Sequence, residues 1–280
     1  MKYLEVAKFG NDYLINKNIQ NYKLDVEILA SETINKSREY FLLNEKNKFT
    51  KKEFKKFNKL LKQRNNRQPL AQIINKKEFW KKNLYIDGNV LIPRPESEHL
   101  VEETINLIKD EANYSILDIG CGSGCLIISI LLERIKCRGT ALDVSKKAIK
   151  VSKINAKMQH IENRIKFIHS DIDKLIVGKY DLIVTNPPYI SKHKIKYLDD
   201  EVRIFEPKLA LDGGIDGLSK IKNIILKSSK LIKRGGKLII EIGFDQKFKV
   251  QEMLKKNFFY VNKIVKDYSG KDRCIISTKL

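Results

Sequence analysis

Three parts of the sequence combine residue types that can bind a ligand and carry out chemistry. Gly120-Cys-Gly-Ser-Gly124 places three glycines close together, Asp143 follows it, and Asn186-Pro-Pro-Tyr189 lies further along the chain. Glycine accepts positive φ and lets a ligand lie against the backbone, because no Cβ stands between them. We therefore take the glycine stretch, the acid and the tetrapeptide as the candidate site.

The spacing of the glycines separates this stretch from the phosphate-binding loops. A dinucleotide loop needs its third glycine at position 125, where this chain has Cys125, and no Gly-Lys-Ser/Thr follows. A loop this tight suits a ligand without phosphates. Asp143 ends a predicted strand, where a carboxylate can accept hydrogen bonds from both hydroxyls of a ribose. A tight turn beside a surface aspartate remains the alternative at this point.

Asn186-Pro-Pro-Tyr189 directly follows an apolar strand. Neither proline can donate a ladder hydrogen bond, so the strand ends there and the loop is rigid. Asn186 and the Pro187 carbonyl offer two acceptors, and Tyr189 offers a flat ring for packing. Two fixed acceptors suit an NH₂ group on a planar π-system, whose delocalised lone pair makes it a poor nucleophile. Such a nitrogen needs a strong electrophile, for example a sulfonium methyl group, and catalysis by orientation. A rigid turn with a surface tyrosine is the alternative.

The elements that must position these residues alternate between strand and helix. Apolar patterns predict strands at 115–119, 139–144, 165–169, 180–185 and 237–242, and helices at 96–109, 125–133, 146–158 and 218–232. This alternation indicates a mostly parallel sheet with helices on both faces, and a terminal hairpin (258–265 and 273–279) adds an antiparallel last strand. Ligands bind such sheets at the carboxyl ends of the strands, where the candidate residues fall.

The first 75 residues have the pattern of a helical domain. Thr50 and Glu53 form a capping-box signature, and apolar residues at helical spacing follow, which predicts a helix over 50–66. Residues 76–95 contain the turn dipeptide Asp87-Gly88 between extended stretches, which predicts a β-hairpin. We therefore divide the chain into a helical domain (1–75), a hairpin linker (76–95) and a catalytic domain (96–280).

Composition excludes several classes of protein. Hydrophobic residues make up 42% of the chain, which is enough for a folded core and argues against disorder. No apolar stretch approaches the roughly 18 residues that span a bilayer, and the first residues lack the apolar segment of a secretory signal, so we expect a cytoplasmic protein. The four cysteines (Cys121, Cys125, Cys137 and Cys274) have no partner pattern for a metal, so we expect reduced thiols and no metal site.

The chain is strongly basic. Its 55 Lys+Arg against 34 Asp+Glu give a formal net charge of +21. A positive field of this size attracts polyanions such as nucleic acid. Alternatively, the joint excess of Lys, Asn and Ile reflects a compositional bias without selection for a partner. Both interpretations stay open.

The glycine stretch, Asp143 and Asn186-Pro-Pro-Tyr189 together resemble S-adenosylmethionine-dependent methyltransferases that act on amino groups. The tetrapeptide alone is shared with adenine-N6 enzymes of DNA and RNA. Wider motifs resemble the peptide chain release factor glutamine methyltransferase family over nearly the whole chain: Arg67-Gln-Pro-Leu-Ala71, Ile92-Pro-Arg-Pro-Glu-Ser-Glu98, Glu206-Pro-Lys-Leu-Ala-Leu-Asp-Gly-Gly214, Asp216-Gly-Leu218, Glu241-Ile-Gly243 and Gly270-Lys-Asp-Arg273.

This resemblance implies a fold and an activity. The fold is α/β, a Rossmann-like methyltransferase sheet with a small helical N-terminal domain that recognises the substrate. The activity is methyl transfer from S-adenosylmethionine, with S-adenosylhomocysteine as product, to the side-chain amide N5 of the glutamine in the Gly-Gly-Gln motif of class I release factors. The implied partner is therefore a release factor. We expect a monomer that needs neither a membrane nor direct binding of nucleic acid.

The resemblance also implies roles for individual residues. Cofactor binding falls to Gly120, Cys121, Gly122, Ser123, Gly124, Asp143, Ile172 and Asn186. Substrate binding falls to Asn186, Pro187, Pro188 and Tyr189, of which Asn186, Pro187 and Tyr189 are the expected catalytic residues. Many family members carry an aromatic residue that stacks near the adenine where this chain has Ile172, so contact there becomes purely apolar. An adenine-N6 methyltransferase and a non-catalytic cofactor sensor are the alternative functions.

Overall fold

The computed structural model describes residues 1–17, 19–175 and 178–280. They form two compact units, which we call the helical unit (Met1–Lys76 with Asp199–Phe205) and the sheet unit (Lys77–Leu198 with Glu206–Leu280). The α-helices are α1 (Tyr3–Leu14), α2 (Tyr22–Ile34), α3 (Arg38–Leu43), α4 (Lys51–Asn65), α5 (Leu70–Ile73), α6 (Glu98–Leu107), α7 (Cys125–Glu133), α8 (Lys146–Met158), α9 (Asp200–Phe205), α10 (Ser219–Leu231) and α11 (Lys247–Lys256). None of the helices in the described ranges is long and apolar enough to cross a bilayer.

The helical unit forms around an aromatic core. Tyr3, Phe41, Phe49 and Phe57 are all buried, and the rings of Phe49 and Phe57 meet edge to face with centroids 5.9 Å apart. The capping box that begins α4 is present. The Thr50 hydroxyl accepts from the Glu53 N–H at 3.2 Å, and the Glu53 carboxylate accepts from the Thr50 N–H at 2.7 Å. The predicted helix over 50–66 is therefore confirmed.

A buried arginine joins α9 to the rest of the helical unit. Arg64 on α4 is 5% exposed and donates to Asp25 at 2.6 Å and to Glu201 at 2.8 Å. A guanidinium can be buried because its planar donors find carboxylate partners. Gln72 adds a further link from its side-chain amide to the Phe205 carbonyl at 3.0 Å. These contacts explain why a segment distant in sequence belongs to the N-terminal unit.

The sheet unit confirms the predicted methyltransferase sheet. Its strands are β1 (Lys77–Phe79), β2 (Lys82–Leu84), β3 (Ser115–Ile119), β4 (Arg138–Asp143), β5 (Ile165–His169), β6 (Tyr180–Thr185), β7 (Ile232–Glu241), β8 (Phe259–Lys266) and β9 (Asp272–Lys279). Strands β3 to β9 form one sheet in the order β5-β4-β3-β6-β7-β9-β8. Only β9 runs against the others, between β7 and β8. The order reverses at β3, which is the switch point where such sheets bind ligands.

The strand register brings distant residues to one edge of the sheet. Ile119 of β3 pairs with both Leu142 of β4 and Thr185 of β6, and Thr185 also pairs with Ile240 of β7. The residues that follow these four are Gly120, Asp143, Asn186 and Glu241. They therefore lie side by side at the carboxyl ends of neighbouring strands.

The position of the hairpin turn was predicted wrongly. β1 and β2 do form a hairpin, but its turn is Trp80-Lys81, and Asp87-Gly88 lies in a later bend outside any strand. Trp80 and Lys81 have φ of 49° and 60°, as the two central residues of a type I′ turn require. Glycine and asparagine favour these angles, so a Trp-Lys pair gives no turn signal in the sequence.

Two further elements differ from the sequence prediction. Helix α11 was not predicted, because only Val250 and Leu254 are buried in a segment otherwise rich in lysine. Strand β7 begins at Ile232 and contains Gly235-Gly236, which the sequence places in a turn before the strand. Its pairing with β6 shifts register between Tyr180 and Leu182, which accommodates the glycine pair as an irregularity within the strand.

Candidate active site

A cavity opens at the carboxyl ends of β3, β4, β5 and β6, within the sheet unit. Its lining comes from the loops after these strands, from the segment before α6 and from α10. The predicted site residues in this lining are Gly120, Cys121, Gly122, Ser123, Asp143, Ile172, Asn186 and Pro188. Gly124, Pro187 and Tyr189, which the structure also describes, are not part of the lining. The fold thus gathers most of the predicted residues around one space.

The glycine loop has the backbone that the sequence predicts. Gly120, Gly122 and Gly124 have φ of 73°, 54° and 81°. A Cβ on Gly120 or Gly122 would meet no described atom within 4 Å, so these residues keep the backbone open to the cavity. A Cβ on Gly124 would lie 2.4 Å from the Ser152 hydroxyl, so this glycine permits close packing against α8 instead.

Asp143 supports the glycine loop and also lines the cavity. Its carboxylate accepts from the Gly122 N–H and the Ser145 N–H, each at 2.9 Å or less. Burial raises the pKa of Asp143 above its ordinary value. Each carboxylate oxygen has a second lone pair, so the side chain can still accept from a pair of ribose hydroxyls. The open glycine backbone and this carboxylate fit the adenosine part of S-adenosylmethionine.

Ile172 lies at the start of the turn after β5, beside Asp171 and Asp173 in the cavity wall. It is 8% exposed and packs into the main core of the sheet unit. An aliphatic side chain here offers apolar contact to a planar base without ring stacking. Ile172 therefore lies where the sequence predicts it, in the wall of the cavity. Its contact with the base remains a prediction.

The Asn186-Pro-Pro-Tyr189 loop is held by residues that the sequence did not single out. The Asn186 NH₂ donates to the Ser97 hydroxyl at 2.9 Å, and the Ser97 hydroxyl donates to Glu241 at 2.6 Å. The Tyr189 hydroxyl donates to the other Glu241 oxygen at 3.2 Å. Ser97 and Glu241 occur in two of the motifs that carry the family resemblance, and this was the only signal for them in the sequence.

Burial dominates the electrostatics of this loop. It raises the pKa of Glu241 to about 7, although the hydrogen bond from Ser97 and the charge of Arg273 act in the opposite direction. It also raises the pKa of Tyr189, an effect that the nearby Glu241 carboxyl reinforces. Tyr189 therefore stays a neutral hydrogen-bond donor throughout the physiological range.

Asp118 is a second buried acid, and it was not among the residues predicted from the sequence. It lies in β3 and is fully buried, and neither carboxylate oxygen has a side-chain hydrogen-bond partner among the described residues, while the backbone N–H of Ile127 acts to lower its pKa. Burial raises its pKa to about 7, and the charge of Asp143 adds to the rise. An acid in the middle of an apolar strand was the available signal.

The two buried acids predict a pH-dependent stability. The unfolded chain has already released the protons of Asp118 and Glu241 at about pH 6, whereas the folded chain, with both pKa values near 7, has not. Stability falls with rising pH where the folded state binds more protons, so each acid should destabilise the folded state by on the order of 1 kcal/mol between about pH 6 and about pH 8. Urea unfolding of the cofactor-free protein at both pH values measures the sum.

The variant Asp118→Asn isolates one of these contributions. An amide does not titrate, so the stability difference between the two pH values should become smaller. An unchanged difference in Asp118→Asn would contradict the assignment of a raised pKa to Asp118.

Arg94 and Glu206 form an ion pair at the edge of the cavity. Glu206 also accepts from the Ile92 N–H at 3.1 Å, and Arg94 and Pro207 line the cavity. Glu98, the last residue of the motif that contains Arg94, accepts from the Trp80 N–H at 2.9 Å. The pair thus fastens the segment before α6 to the segment after α9, within the sheet unit.

Comparisons with known proteins agree with this geometry. A family model described as the PrmC N-terminal domain matches residues 5–74, and the methyltransferase small domain matches residues 98–205. Release factor glutamine methyltransferases from Caulobacter vibrioides and Clostridium botulinum are 33% and 34% identical, covering 96% of this chain and 94% and 96% of their own length. The enzyme of that name from Buchnera aphidicola subsp. Acyrthosiphon pisum is 36% identical and covers 94% of both chains.

Solved structures support the fold. A methyltransferase from Pyrococcus furiosus superposes with a TM-score of 0.52 at 19% identity, over 70% of this chain and 88% of its own. The ribosomal protein L11 methylase of Lactobacillus delbrueckii subsp. bulgaricus gives 0.51 at 20% identity, over 67% and 81%. The sheet order, the glycine loop and the matching domain define an S-adenosylmethionine-dependent methyltransferase. The relatives that match it over nearly the full length are named release factor glutamine methyltransferases. The chain belongs to this family.

Proposed function

We propose that this protein transfers a methyl group from S-adenosylmethionine to the side-chain amide nitrogen of the glutamine in the Gly-Gly-Gln motif of class I release factors. The observation that carries the proposal is the shared cavity. It joins an adenosine-type site (the glycine loop and Asp143) to an amide acceptor (Asn186) across the switch point of the sheet. The family to which the chain belongs supports the choice of substrate.

The cofactor-binding half of the cavity uses backbone and charge. Gly120 and Gly122 leave room for the ligand against the loop, and Asp143 accepts from the ribose hydroxyls. Ile172 provides the apolar surface for the base. When bound, S-adenosylmethionine supplies an electrophilic methyl carbon on a sulfonium sulfur.

The substrate-binding half of the cavity orients the glutamine amide nitrogen, which is a poor nucleophile. Asn186 lines the cavity, and its oxygen accepts one N–H group of the glutamine amide. Pro187 and Tyr189 lie next to the lining rather than in it; in this proposal the Pro187 carbonyl accepts the second N–H group and Tyr189 packs beside it. Fixing both N–H bonds directs the nitrogen lone pair toward the methyl carbon, so that orientation supplies much of the rate. The nitrogen forms its bond to carbon as the carbon–sulfur bond breaks, and the nitrogen then loses one proton to water. No side chain with a strongly shifted pKa is needed as a base at the nitrogen.

Further parts of the proposal concern the surroundings of the reaction. The helical unit recognises the body of the release factor. The protein acts as a monomer in the cytoplasm, and it does not require nucleic acid.

A mass measurement tests the proposal. Purified protein, S-adenosylmethionine and a purified class I release factor should yield a tip peptide heavier by one CH₂ group. A release factor with the tip glutamine replaced by alanine is the matched control and should stay unmodified. Methyl-labelled cofactor should not label RNA or DNA; labelled adenine with an unmodified release factor would instead establish the adenine-N6 function.

A further inference from the structure

The orientation of the Asn186 side chain decides which substrate the cavity accepts. The two ends of a carboxamide have nearly the same shape, but the oxygen accepts hydrogen bonds and the NH₂ group donates them. An oxygen that faces the cavity suits the NH₂ of glutamine, whereas an NH₂ that faces it suits the carboxylate of glutamate. A contact of the Asn186 side chain must therefore fix one of the two orientations of its carboxamide.

The contact with Ser97 selects it. A hydroxyl has one proton, and Ser97 donates that proton to Glu241 at 2.6 Å. Toward Asn186, at 2.9 Å, the Ser97 oxygen can then only accept, so the NH₂ end of Asn186 must point at Ser97. The carboxamide oxygen is the end that remains for the cavity.

Glu241 keeps Ser97 in this state. It is 1% exposed, and in its ionised form its two oxygens accept from the Ser97 and Tyr189 hydroxyls, so the carboxylate holds both hydroxyl protons. Ser97 itself is 2% exposed, which excludes competition from bulk water. The three side chains come from the segment before α6, from the loop after β6 and from the end of β7.

Charges of both signs act on a glutamate in this cavity, since Asp143, Asp171 and Asp173 line it together with Arg94. Arg94 lines the cavity, and the charge of Arg273 acts on both Glu241 and Tyr189. Arg94 is paired with Glu206, and Arg273 is paired with Asp267 at 2.9 Å, but guanidinium groups still favour a nearby carboxylate. The fixed acceptor adds a directional discrimination between amide and carboxylate that these charges do not provide.

We propose that Ser97 and Glu241 are positioning residues that hold the Asn186 carboxamide with its oxygen toward the cavity and thereby select glutamine over glutamate. The proposal rests on the proposed function, because the selected group is the amide of the release-factor glutamine. Neither residue touches the substrate in this scheme. Each acts through Asn186, directly or through the next hydroxyl.

The test compares Ser97→Ala with Ser97→Thr, which keeps the hydroxyl. For Ser97→Ala we expect kcat to fall about tenfold, with an unchanged dissociation constant for S-adenosylmethionine. A release factor whose tip glutamine is replaced by glutamate serves as a competitive inhibitor. Its inhibition constant, relative to the KM of the glutamine substrate, should fall about tenfold in Ser97→Ala because the carboxamide can now turn. Ser97→Thr should restore both quantities toward the wild type.

Ser228→Ala is the matched control, since Ser228 is fully buried in α10, away from the cavity lining. It removes a buried hydroxyl and should leave kcat and the glutamine preference unchanged. If Ser97→Ala does not fold, Ser97→Cys keeps the volume with a weaker donor and acceptor and should shift both quantities in the same direction.

The outcomes separate the two proposals. An active wild type together with a Ser97→Ala variant of normal kcat and normal preference would overturn the positioning role and leave the proposed function intact. A wild type that methylates no release factor would overturn both. A loss of kcat without any change in preference would reduce Ser97 to a structural residue, and would also overturn the positioning role.

Discussion

Replacing Asn186 with alanine should lower kcat/KM for release-factor methylation by about 10²–10³-fold, a loss typical of removing one fixed polar group from a reacting site. The side chain supplies one of two acceptors for the substrate amide. Without it the nitrogen is no longer oriented, and the remaining Pro187 carbonyl cannot fix both N–H bonds. Because the lost contact is with the reacting group, the decrease should appear mainly in kcat.

The measurement is a steady-state methylation assay with purified release factor, accompanied by the melting temperature of each variant. Asn83→Ala is the matched control, since Asn83 is exposed on the short strand β2 and is not among the residues that line the cavity. It should keep the wild-type kcat/KM. Full activity of a folded Asn186→Ala protein would contradict the proposed role and favour a non-catalytic function of the site.

Asp143→Ala should weaken the binding of S-adenosylmethionine by about 100-fold. Hydrogen bonds to a charged group contribute about 1.5–3 kcal/mol each, and the carboxylate can accept two from the ribose. The substitution also removes the acceptor for the Gly122 N–H at 2.9 Å, so the glycine loop loses one of its supports. Calorimetric titration with the cofactor measures the change directly.

Asp173→Ala is the control for this experiment. Asp173 is an exposed acid on the same rim of the cavity, and its contacts are with Asn223 and Lys227 on α10. Its loss should change the dissociation constant by much less than that of Asp143. Equal affinities of wild type and Asp143→Ala for S-adenosylmethionine would rule out the ribose assignment. An Asp143→Ala variant that does not fold would show that the residue is needed for the structure of the glycine loop.

Local patterns were sufficient for most of the sheet unit. Strands β3, β5 and β6 and helices α7 and α8 have the bounds that the sequence predicts, because short apolar runs between glycine and polar stretches determine them locally. The same reasoning failed for the hairpin turn at Trp80-Lys81 and for α11. Both depend on neighbours that hold an unusual backbone or cover a narrow apolar stripe.

The residue types alone also indicated the chemistry of the candidate site. Three glycines, an acid after a strand and an Asn-Pro-Pro-Tyr turn indicate a ligand loop, a ribose acceptor and an amide acceptor without knowledge of their neighbours. Three of the cysteines, Cys121, Cys137 and Cys274, are buried and pack as small side chains. Such inferences need only the local backbone that each residue type permits.

The tertiary structure alone decided which residues support Asn186. Ser97 lies 89 residues before it, and Glu241 lies 144 residues after Ser97, yet the pairing of β6 with β7 and the approach of the segment before α6 place all three in contact. It also decided that Asp118 is buried with no side-chain partner in the part of the chain that the structure describes. Register, burial and hydrogen-bond partners arise from contacts between segments far apart in the chain, and a local pattern carries no information about which segments will meet.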